Sequence, residues 1–153
     1  MTKLLAVILA GVGLVAHSVS AAGCGAAAGG TCASAAAPAA KVAAPATINP
    51  AGLAALLQSG AKVVVLDARS GKFDDGRRLP GAKSLTDQAT AEQAAAVIPS
   101  RDTLVVTYCS NPKCQASPKL AKHLQGLGYT NVVELPEGID GWVGEGRAVE
   151  KAN

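Results

Sequence analysis

The sequence of 153 residues is poor in the side chains on which several common functions depend. Aromatic residues make up only 3% of the chain, so a platform of rings for stacking single-stranded nucleic acid is excluded. Two His are present, at positions 17 and 123, which is too few for a histidine-rich metal site. The formal net charge is +3 without a long basic run, so we do not expect nucleic acid as a partner.

What the chain does have at its N-terminus is the pattern of an export signal. A positive start at Lys3 precedes an apolar run over residues 4–16 and a stretch of small and polar residues that ends at Ala22. This is the three-part arrangement of a secretory signal peptide. The apolar run is shorter than the roughly 17 to 25 residues that cross a membrane as a helix. We therefore predict a signal peptide over residues 1–22 and an exported protein of the periplasm or cell envelope.

Two cysteines lie in the segment that follows this signal. Residues 23–46 are rich in Ala, Gly and Pro and have almost no large side chains, so we expect a flexible tether. Cys24 and Cys32 are close enough in sequence to pair in an oxidising compartment. Alternatively, the residues before Cys24 resemble a bacterial lipobox, with Ala where Leu is usual. Lipidation of Cys24 would provide a membrane tether and leave Cys32 unpaired.

Strand and helix patterns alternate over residues 47–153, which predicts one α/β domain. The runs rich in Val, Ile and Thr have the composition of strands buried on both faces, and Gly or Pro ends each helix. We expect strands at 62–67, 103–108 and 131–135, and helices at 50–59, 90–98 and 117–127. A short turn or helix carries Ile139 and Trp142, and His123 is expected to be a solvated helix residue. The alternation indicates a mainly parallel sheet with helices on both faces and a ligand site beyond the carboxyl ends of the strands.

Cys109 stands at one of these strand ends, directly before a polar loop and a helix that begins near Ser117. Backbone N–H groups and the positive end of a helix lower the pKa of a thiol in such a loop, and Lys113 adds positive potential. We therefore expect a reactive thiol, although a free Cys is also a common small core residue. A zinc site formed by all four cysteines is disfavoured because none of them is spaced as C-x2-C.

Five short segments occur in an order that matches a known family. They are VVLDAR at 64–69, LPGA at 79–82, VVTYC at 105–109, LGYTNV at 127–132 and GIDGW at 138–142. Together they resemble a single rhodanese (sulfurtransferase) domain. The resemblance implies a three-layer fold in which a central, mainly parallel sheet is flanked by helices. It also implies that sulfane sulfur moves from a small anionic donor such as thiosulfate, through a Cys109 persulfide, to a thiol or cyanide acceptor.

The resemblance assigns roles to the residues around Cys109 and implies no cofactor and no metal. The donor and the persulfide would be bound by the loop residues Ser110, Asn111, Lys113, Cys114 and Gln115. The backbone N–H groups of the first four would stabilise the persulfide anion. Asp67 and Arg69 would form a buried or half-buried pair, which either shapes the floor of the site or serves only as a structural salt bridge. We expect the protein to be a monomer.

The chain departs from the family pattern at Cys114, where many active members have Arg, Thr or Ser. Cys114 would either attack the Cys109 persulfide and release sulfide, hold Cys109 in a resting disulfide, or simply pack at the helix start. Two other functions therefore stay open, a thiol–disulfide redox protein that uses Cys109 and Cys114, and a non-enzymatic sulfur carrier of the envelope. A phosphatase cradle is disfavoured because it needs Arg six residues after the Cys, where this chain has Gln115.

Overall fold

The computed structural model describes residues 44–152. The predicted signal peptide and nearly all of the predicted tether lie outside these residues, as do Cys24 and Cys32. Cleavage, pairing and lipidation in that region therefore stay predictions. In the described part, no helix is long and apolar enough to cross a membrane.

The described residues follow the alternating order that the sequence predicts. The helices are α1 (Pro50–Gln58), α2 (Ala91–Val97), α3 (Ala116–Gly126) and α4 (Gly138–Gly144), and a 3-10 turn covers Gly71–Phe73. The strands are β1 (Ala46–Thr47), β2 (Val63–Asp67), β3 (Arg77–Arg78), β4 (Lys83–Ser84), β5 (Leu104–Tyr108), β6 (Val132–Leu135) and β7 (Glu150–Lys151). The three long strands and the first three helices are confirmed. The two-residue strands β1, β3, β4 and β7 were not predicted, because so short a strand carries no alternation of side chains.

Five of the strands form one parallel sheet in the order β1-β6-β5-β2-β4. The predicted α/β class with a mainly parallel sheet is confirmed. β3 and β7 pair separately and antiparallel. In the central pair, Asp67 at the end of β2 stands opposite Tyr108 at the end of β5. The segments that begin at Ala68 and Cys109 therefore leave the sheet side by side, at the edge where ligands bind in folds of this kind.

Local signals fix where the helices begin. The side chain of Asn49 accepts a hydrogen bond from the N–H of Gly52 at 2.7 Å, and Pro50 occupies the first turn of α1. Thr90 and Gln93 form a reciprocal capping box at the start of α2. α3 differs, because its capping residue Gln115 makes no side-chain hydrogen bond to the helix. The side chain of Gln115 thus supplies no acceptor for the first N–H groups of α3.

Helices cover both faces of the sheet, and the core between them is mostly aliphatic, as the scarcity of aromatic residues predicts. α2 and α3 pack on one face, where the buried set includes Leu66, Ala94, Ile98, Val105, Leu120 and Leu124. α1 and α4 pack on the other face, where it includes Leu53, Val65, Val106, Tyr108, Leu135, Ile139 and Trp142. Side chains alternate between the faces along each strand. Tyr108 therefore points to the α1 and α4 side, and Cys109 is the first residue after the strand.

The prediction that His123 is a solvated helix residue is wrong. His123 is half-buried, and its Nε2 lies 2.7 Å from the carbonyl oxygen of Ala89. The imidazole ring thus joins α3 to the segment that precedes α2. Helical periodicity alone did not reveal this contact, because it depends on where a distant segment packs.

Candidate active site

Cys109 lies directly after the central strand β5 and is 2% exposed. It belongs to neither of the two aliphatic clusters. Its sulfur is bonded to the sulfur of Cys114 in a disulfide, with 6.3 Å between the two Cα atoms. Cys114, just before α3, is the less buried partner of the pair. The structure thus brings together the two cysteines of the loop that sequence reasoning singled out.

Asn111 folds the loop between the two cysteines. Its carbonyl oxygen accepts a hydrogen bond from the N–H of Cys114 at 3.0 Å, which closes a turn with Pro112 in the second position, where proline is favoured. Its side-chain oxygen accepts a hydrogen bond from the N–H of Lys113 at 3.1 Å. Its side-chain nitrogen donates to Asp140 in α4 at 3.2 Å. The turn directs the chain back so that Cys114 meets Cys109.

This turn corrects one expectation about the loop. The N–H groups of Lys113 and Cys114 were expected to face the sulfur of Cys109, but both donate to Asn111. The expectation is wrong for these two amides in the disulfide form, because the turn uses them. Within residues 44–152, the N–H groups of Ser110 and Asn111 make no hydrogen bond to the protein. Lys113 and Gln115 are exposed, and Ser110 and Asn111 are half-buried.

The other side of the loop is fixed by the start of α4. The N–H of Ile139 donates to the carbonyl oxygen of Cys109, and the N–H of Asp140 donates to that of Ser110, both at 2.9 Å. Gly138 permits this approach. Its φ is +62°, and a Cβ there would lie 2.6 Å from the carbonyl carbon of Ser110. The short helix therefore anchors the backbone that carries the catalytic candidate.

Beneath the loop, the buried carboxylate of Asp67 holds the ends of β2 and β5 together. The hydroxyl of Tyr108 donates to Asp67 Oδ2 at 2.7 Å. Arg69 contacts the same oxygen at 2.9 Å and Arg78 at 3.3 Å. The predicted Asp67–Arg69 pair is thus present, and Tyr108, the residue before Cys109, connects it to the end of β5.

The pair is part of a larger charged network that sequence reasoning missed. Arg69 also donates to Asp75 at 2.8 Å and to the carbonyl oxygen of Arg77. Arg78 donates to Asp74 at 2.5 Å. The signal in the sequence is the run Asp-Asp-Gly-Arg-Arg at 74–78. Two acidic residues followed closely by two arginines favour local ion pairs.

The network keeps its charges because each partner stabilises the other. Hydrogen bonds from Arg78 hold the pKa of Asp74 at about 2. Burial works against the charges of Arg69 and Asp75, but the hydrogen bonds and opposite charges around them prevail, raising the pKa of Arg69 and lowering that of Asp75. Burial and the charge of Asp67 raise the pKa of Tyr108, so its hydroxyl stays protonated and remains a donor.

An open groove of about 750 Å³ lies beside this network, between the segment after β2 and α2. Arg69, Ser70, Asp74, Thr86 and Gln93 are among its lining residues. No residue of the 109–115 loop lines it. Across residues 44–152, no group of three or more His, Cys, Asp or Glu side chains is placed to hold a metal ion.

The comparison with known proteins agrees with this architecture. The family model of the rhodanese-like domain matches residues 49–145. The chain belongs to the rhodanese-like domain family. This confirms the resemblance carried by the five short segments. No curated protein matches the sequence significantly.

Solved structures of rhodanese-like domains and related proteins share the fold. A Bacillus halodurans protein is 27% identical, with a TM-score of 0.62 over 69% of this chain and 77% of that chain. The thiosulfate sulfurtransferase of Pseudomonas aeruginosa is 22% identical, with a TM-score of 0.58 over 71% of this chain and 21% of its own. A 3-mercaptopyruvate sulfotransferase of Escherichia coli is 18% identical, with a TM-score of 0.57 over 71% of this chain and 52% of its own. At the identities of the last two, the likeness shows the fold alone.

Replacing Gly138 tests how the rhodanese-like loop is anchored. We expect Gly138→Ala to lower the free energy of unfolding by about 2 kcal/mol or more, because the added Cβ meets the backbone of Ser110 and the positive φ disfavours Ala. Gly144→Ala, at the other end of α4 where a Cβ meets nothing within 4 Å, is the matched control and should change stability by less than about 0.5 kcal/mol. Urea unfolding of both variants measures the difference. Equal stabilities would show that the loop does not need the close approach.

The charged network predicts a loss of stability in acid. The pKa of Asp74 is about 2 in the fold against an ordinary value of 3.8. Its contribution is therefore complete above about pH 4 and is lost as the pH falls through about 2. Asp74→Asn should remove about 1 kcal/mol at pH 7 and flatten this part of the pH profile. Denaturant unfolding at several pH values measures both effects.

Asp87→Asn is the control for this experiment, since Asp87 takes part in none of the ion pairs among residues 44–152. Its pH profile should match that of the parent protein. An unchanged profile for Asp74→Asn would mean that the Arg78–Asp74 pair adds nothing to stability.

Proposed function

We propose that this rhodanese-like protein is a sulfurtransferase that moves sulfane sulfur from a small anionic donor, such as thiosulfate, to a thiol or cyanide acceptor. The intermediate is a persulfide on Cys109. One observation carries the proposal: in a rhodanese-like sheet, Cys109 directly follows the central strand on a backbone anchored by α4. Once reduced, a thiol fixed in this way is suited to nucleophilic attack on sulfur.

The proposed reaction begins from the reduced loop, since a disulfide sulfur is not a nucleophile. An external dithiol first opens the Cys109–Cys114 bond and is itself oxidised. The Cys109 thiolate then attacks the outer sulfur of thiosulfate, and sulfite leaves with the electron pair of the broken bond. Cyanide or a thiolate attacks the terminal sulfur of the persulfide, and Cys109 leaves as a thiolate again.

The surroundings of the loop support a charged sulfur at Cys109. α3 begins at Ala116 without a side-chain cap, and the positive end of a helix favours a thiolate nearby. The N–H groups of Ser110 and Asn111, which make no hydrogen bond to the described protein, supply donors for the persulfide anion. The exposed Lys113 supplies a positive charge on the same loop, which attracts an anionic donor.

A second candidate function is a thiol–disulfide redox protein, and the Cys109–Cys114 disulfide itself favours it. Such a protein would exchange disulfides with a dithiol and would turn over no thiosulfate. A sulfur carrier would take up sulfane sulfur once and would not produce thiocyanate repeatedly. Steady-state formation of thiocyanate from thiosulfate and cyanide therefore distinguishes the sulfurtransferase from both alternatives.

We also propose that the protein is exported and acts in the periplasm or at the cell envelope as a monomer. The signal-like pattern of residues 1–22 supports this location, and a disulfide between Cys109 and Cys114 suits an oxidising compartment. Cys24 would tether the domain to the membrane if it is lipidated. The intact mass of the protein recovered from the envelope fraction tests cleavage and lipidation together.

Cys109→Ser tests the proposed nucleophile. We expect this variant to lose at least about 100-fold in the rate of thiocyanate formation. It should also gain no mass from thiosulfate, whereas the reduced parent forms a persulfide that is about 32 Da heavier, or a later product of that persulfide. Cys32→Ser, which changes a thiol of the predicted tether, is the matched control and should turn over like the parent. Activity of Cys109→Ser near the parent level would remove Cys109 from the mechanism.

Lys113→Ala tests the attraction of the anionic donor. We expect KM for thiosulfate to rise about 3- to 10-fold with a smaller change in kcat, because the lost charge acts on binding more than on the chemical step. The effect should shrink at high ionic strength. Lys62→Ala removes an exposed charge just before β2, at the opposite end of the strands, and should leave KM unchanged. Equal KM values for the two variants would assign donor binding to the backbone alone.

A further inference from the structure

We propose that Cys114 is an internal resolving thiol, which attacks the Cys109 persulfide, releases sulfide and leaves the Cys109–Cys114 disulfide. This inference rests on the persulfide of the proposed function and adds a second activity to it. The protein would reduce sulfane sulfur to sulfide at the expense of an external dithiol, and transfer to an outside acceptor would compete with that reaction.

The first support is that the loop itself holds Cys114 near Cys109. The turn is closed by a hydrogen bond from the N–H of Cys114 to the carbonyl oxygen of Asn111, and the N–H of Lys113 donates to the Asn111 side chain. Neither hydrogen bond involves a sulfur atom, so both can form when the two cysteines are reduced. Proline in the second position of the turn restricts its backbone in any redox state. The Cα–Cα distance of 6.3 Å lies in the range of ordinary disulfides. The reduced loop is therefore preorganised for the two sulfurs to react.

The second support is that both ends of the loop are anchored. Hydrogen bonds from α4 fix the carbonyl oxygens of Cys109 and Ser110, and Cys114 leads directly into α3. Asn111 joins the middle of the loop to Asp140. An internal thiol held in this way has an effective concentration on the order of millimolar or more. Its attack would outpace that of a dilute external acceptor.

The resolving step balances without any added oxidant. The Cys114 thiolate attacks the Sγ of Cys109, and the bond between that Sγ and the terminal sulfur breaks. The terminal sulfur leaves with the electron pair, takes up a proton and is released as sulfide. The two cysteines lose two electrons, and the sulfane sulfur gains them. An external dithiol then reduces the disulfide, so that dithiol and thiosulfate are converted into disulfide, sulfite and sulfide.

Burial indicates where the external dithiol reacts. Cys109 is 2% exposed, whereas Cys114 is half-buried and flanked by the exposed residues Lys113 and Gln115. Attack at the Cys114 sulfur expels Cys109 as a thiolate. The expelled Cys109 thiolate is then ready to attack the next molecule of thiosulfate.

The test is a single turnover followed by intact mass and sulfide release. The full chain, with Cys24→Ser and Cys32→Ser so that no other thiol takes part, is reduced, freed of reductant and mixed with one equivalent of thiosulfate without oxygen. We expect this protein to release about one equivalent of sulfide and to become about 2 Da lighter than its reduced form. The same protein with Cys114→Ser should release no sulfide and keep a gain of about 32 Da.

Asn111→Ala separates positioning from chemistry. It loosens the turn without removing a thiol, so we expect the persulfide to form and sulfide release to slow by at least about 10-fold. Asn131→Ala is the matched control, since Asn131 bonds to the carbonyl oxygen of Asp102 at 2.7 Å, away from the loop. It should release sulfide at the parent rate. Equal rates for the two variants would contradict the preorganised turn.

The outcomes distinguish this inference from the proposed function. A persulfide that lasts equally long in the protein that keeps Cys114 and in its Cys114→Ser variant overturns the resolving role and leaves the sulfurtransferase standing. A disulfide that forms without sulfide also overturns it. No sulfite release and no gain in mass with either protein overturns the persulfide itself, and the inference with it. Cys114→Ala provides a second variant should Cys114→Ser fold poorly.

Discussion

The buried carboxylate of Asp67 is the interaction on which the end of the sheet depends. It accepts the hydroxyl of Tyr108 from the neighbouring strand and contacts two arginines from the segment after its own strand. A carboxylate without these partners would be very unfavourable in the core. The strand end that carries Cys109 is therefore held by a set of groups that must assemble together. The position of the thiol follows from this network, although none of the network's hydrogen bonds involves the sulfur.

The cysteine loop is then held on both sides by backbone hydrogen bonds. On the side next to β5, N–H groups of α4 donate hydrogen bonds to the carbonyl oxygens of Cys109 and Ser110. This close approach is possible because Gly138 has no side chain. On the side next to α3, Asn111 accepts hydrogen bonds from the N–H groups of Lys113 and Cys114, which were expected to stabilise the persulfide. The same turn thus reduces the number of free donors around the sulfur and places a second thiol beside it. In the proposed reaction, such an arrangement would favour passing sulfur on over storing it.

Much of this organisation can be predicted from the sequence, because the strong patterns are local. Continuous aliphatic runs located the three long strands, and Cys109 was placed at a strand end by the residues on either side. The two-residue strands and the contact of His123 with Ala89 depend on segments that meet only in the folded chain. The turn at Asn111 follows local rules for Asn and Pro. The family resemblance assigns the amides of this turn to the persulfide, whereas Asn111 accepts hydrogen bonds from two of them.

The pairing of strands far apart in sequence has a kinetic consequence. β1 joins β6 near the two ends of the domain, and β7 returns to β3, where it lies next to Arg78. Such non-local contacts slow folding, because long stretches of chain lose conformational entropy before the contacts that stabilise them can form. A partly folded intermediate would contain Cys109 without the hydrogen bonds that anchor its loop, and its thiols would be open to mispairing. Correct pairing of Cys109 with Cys114 therefore depends on completion of the fold.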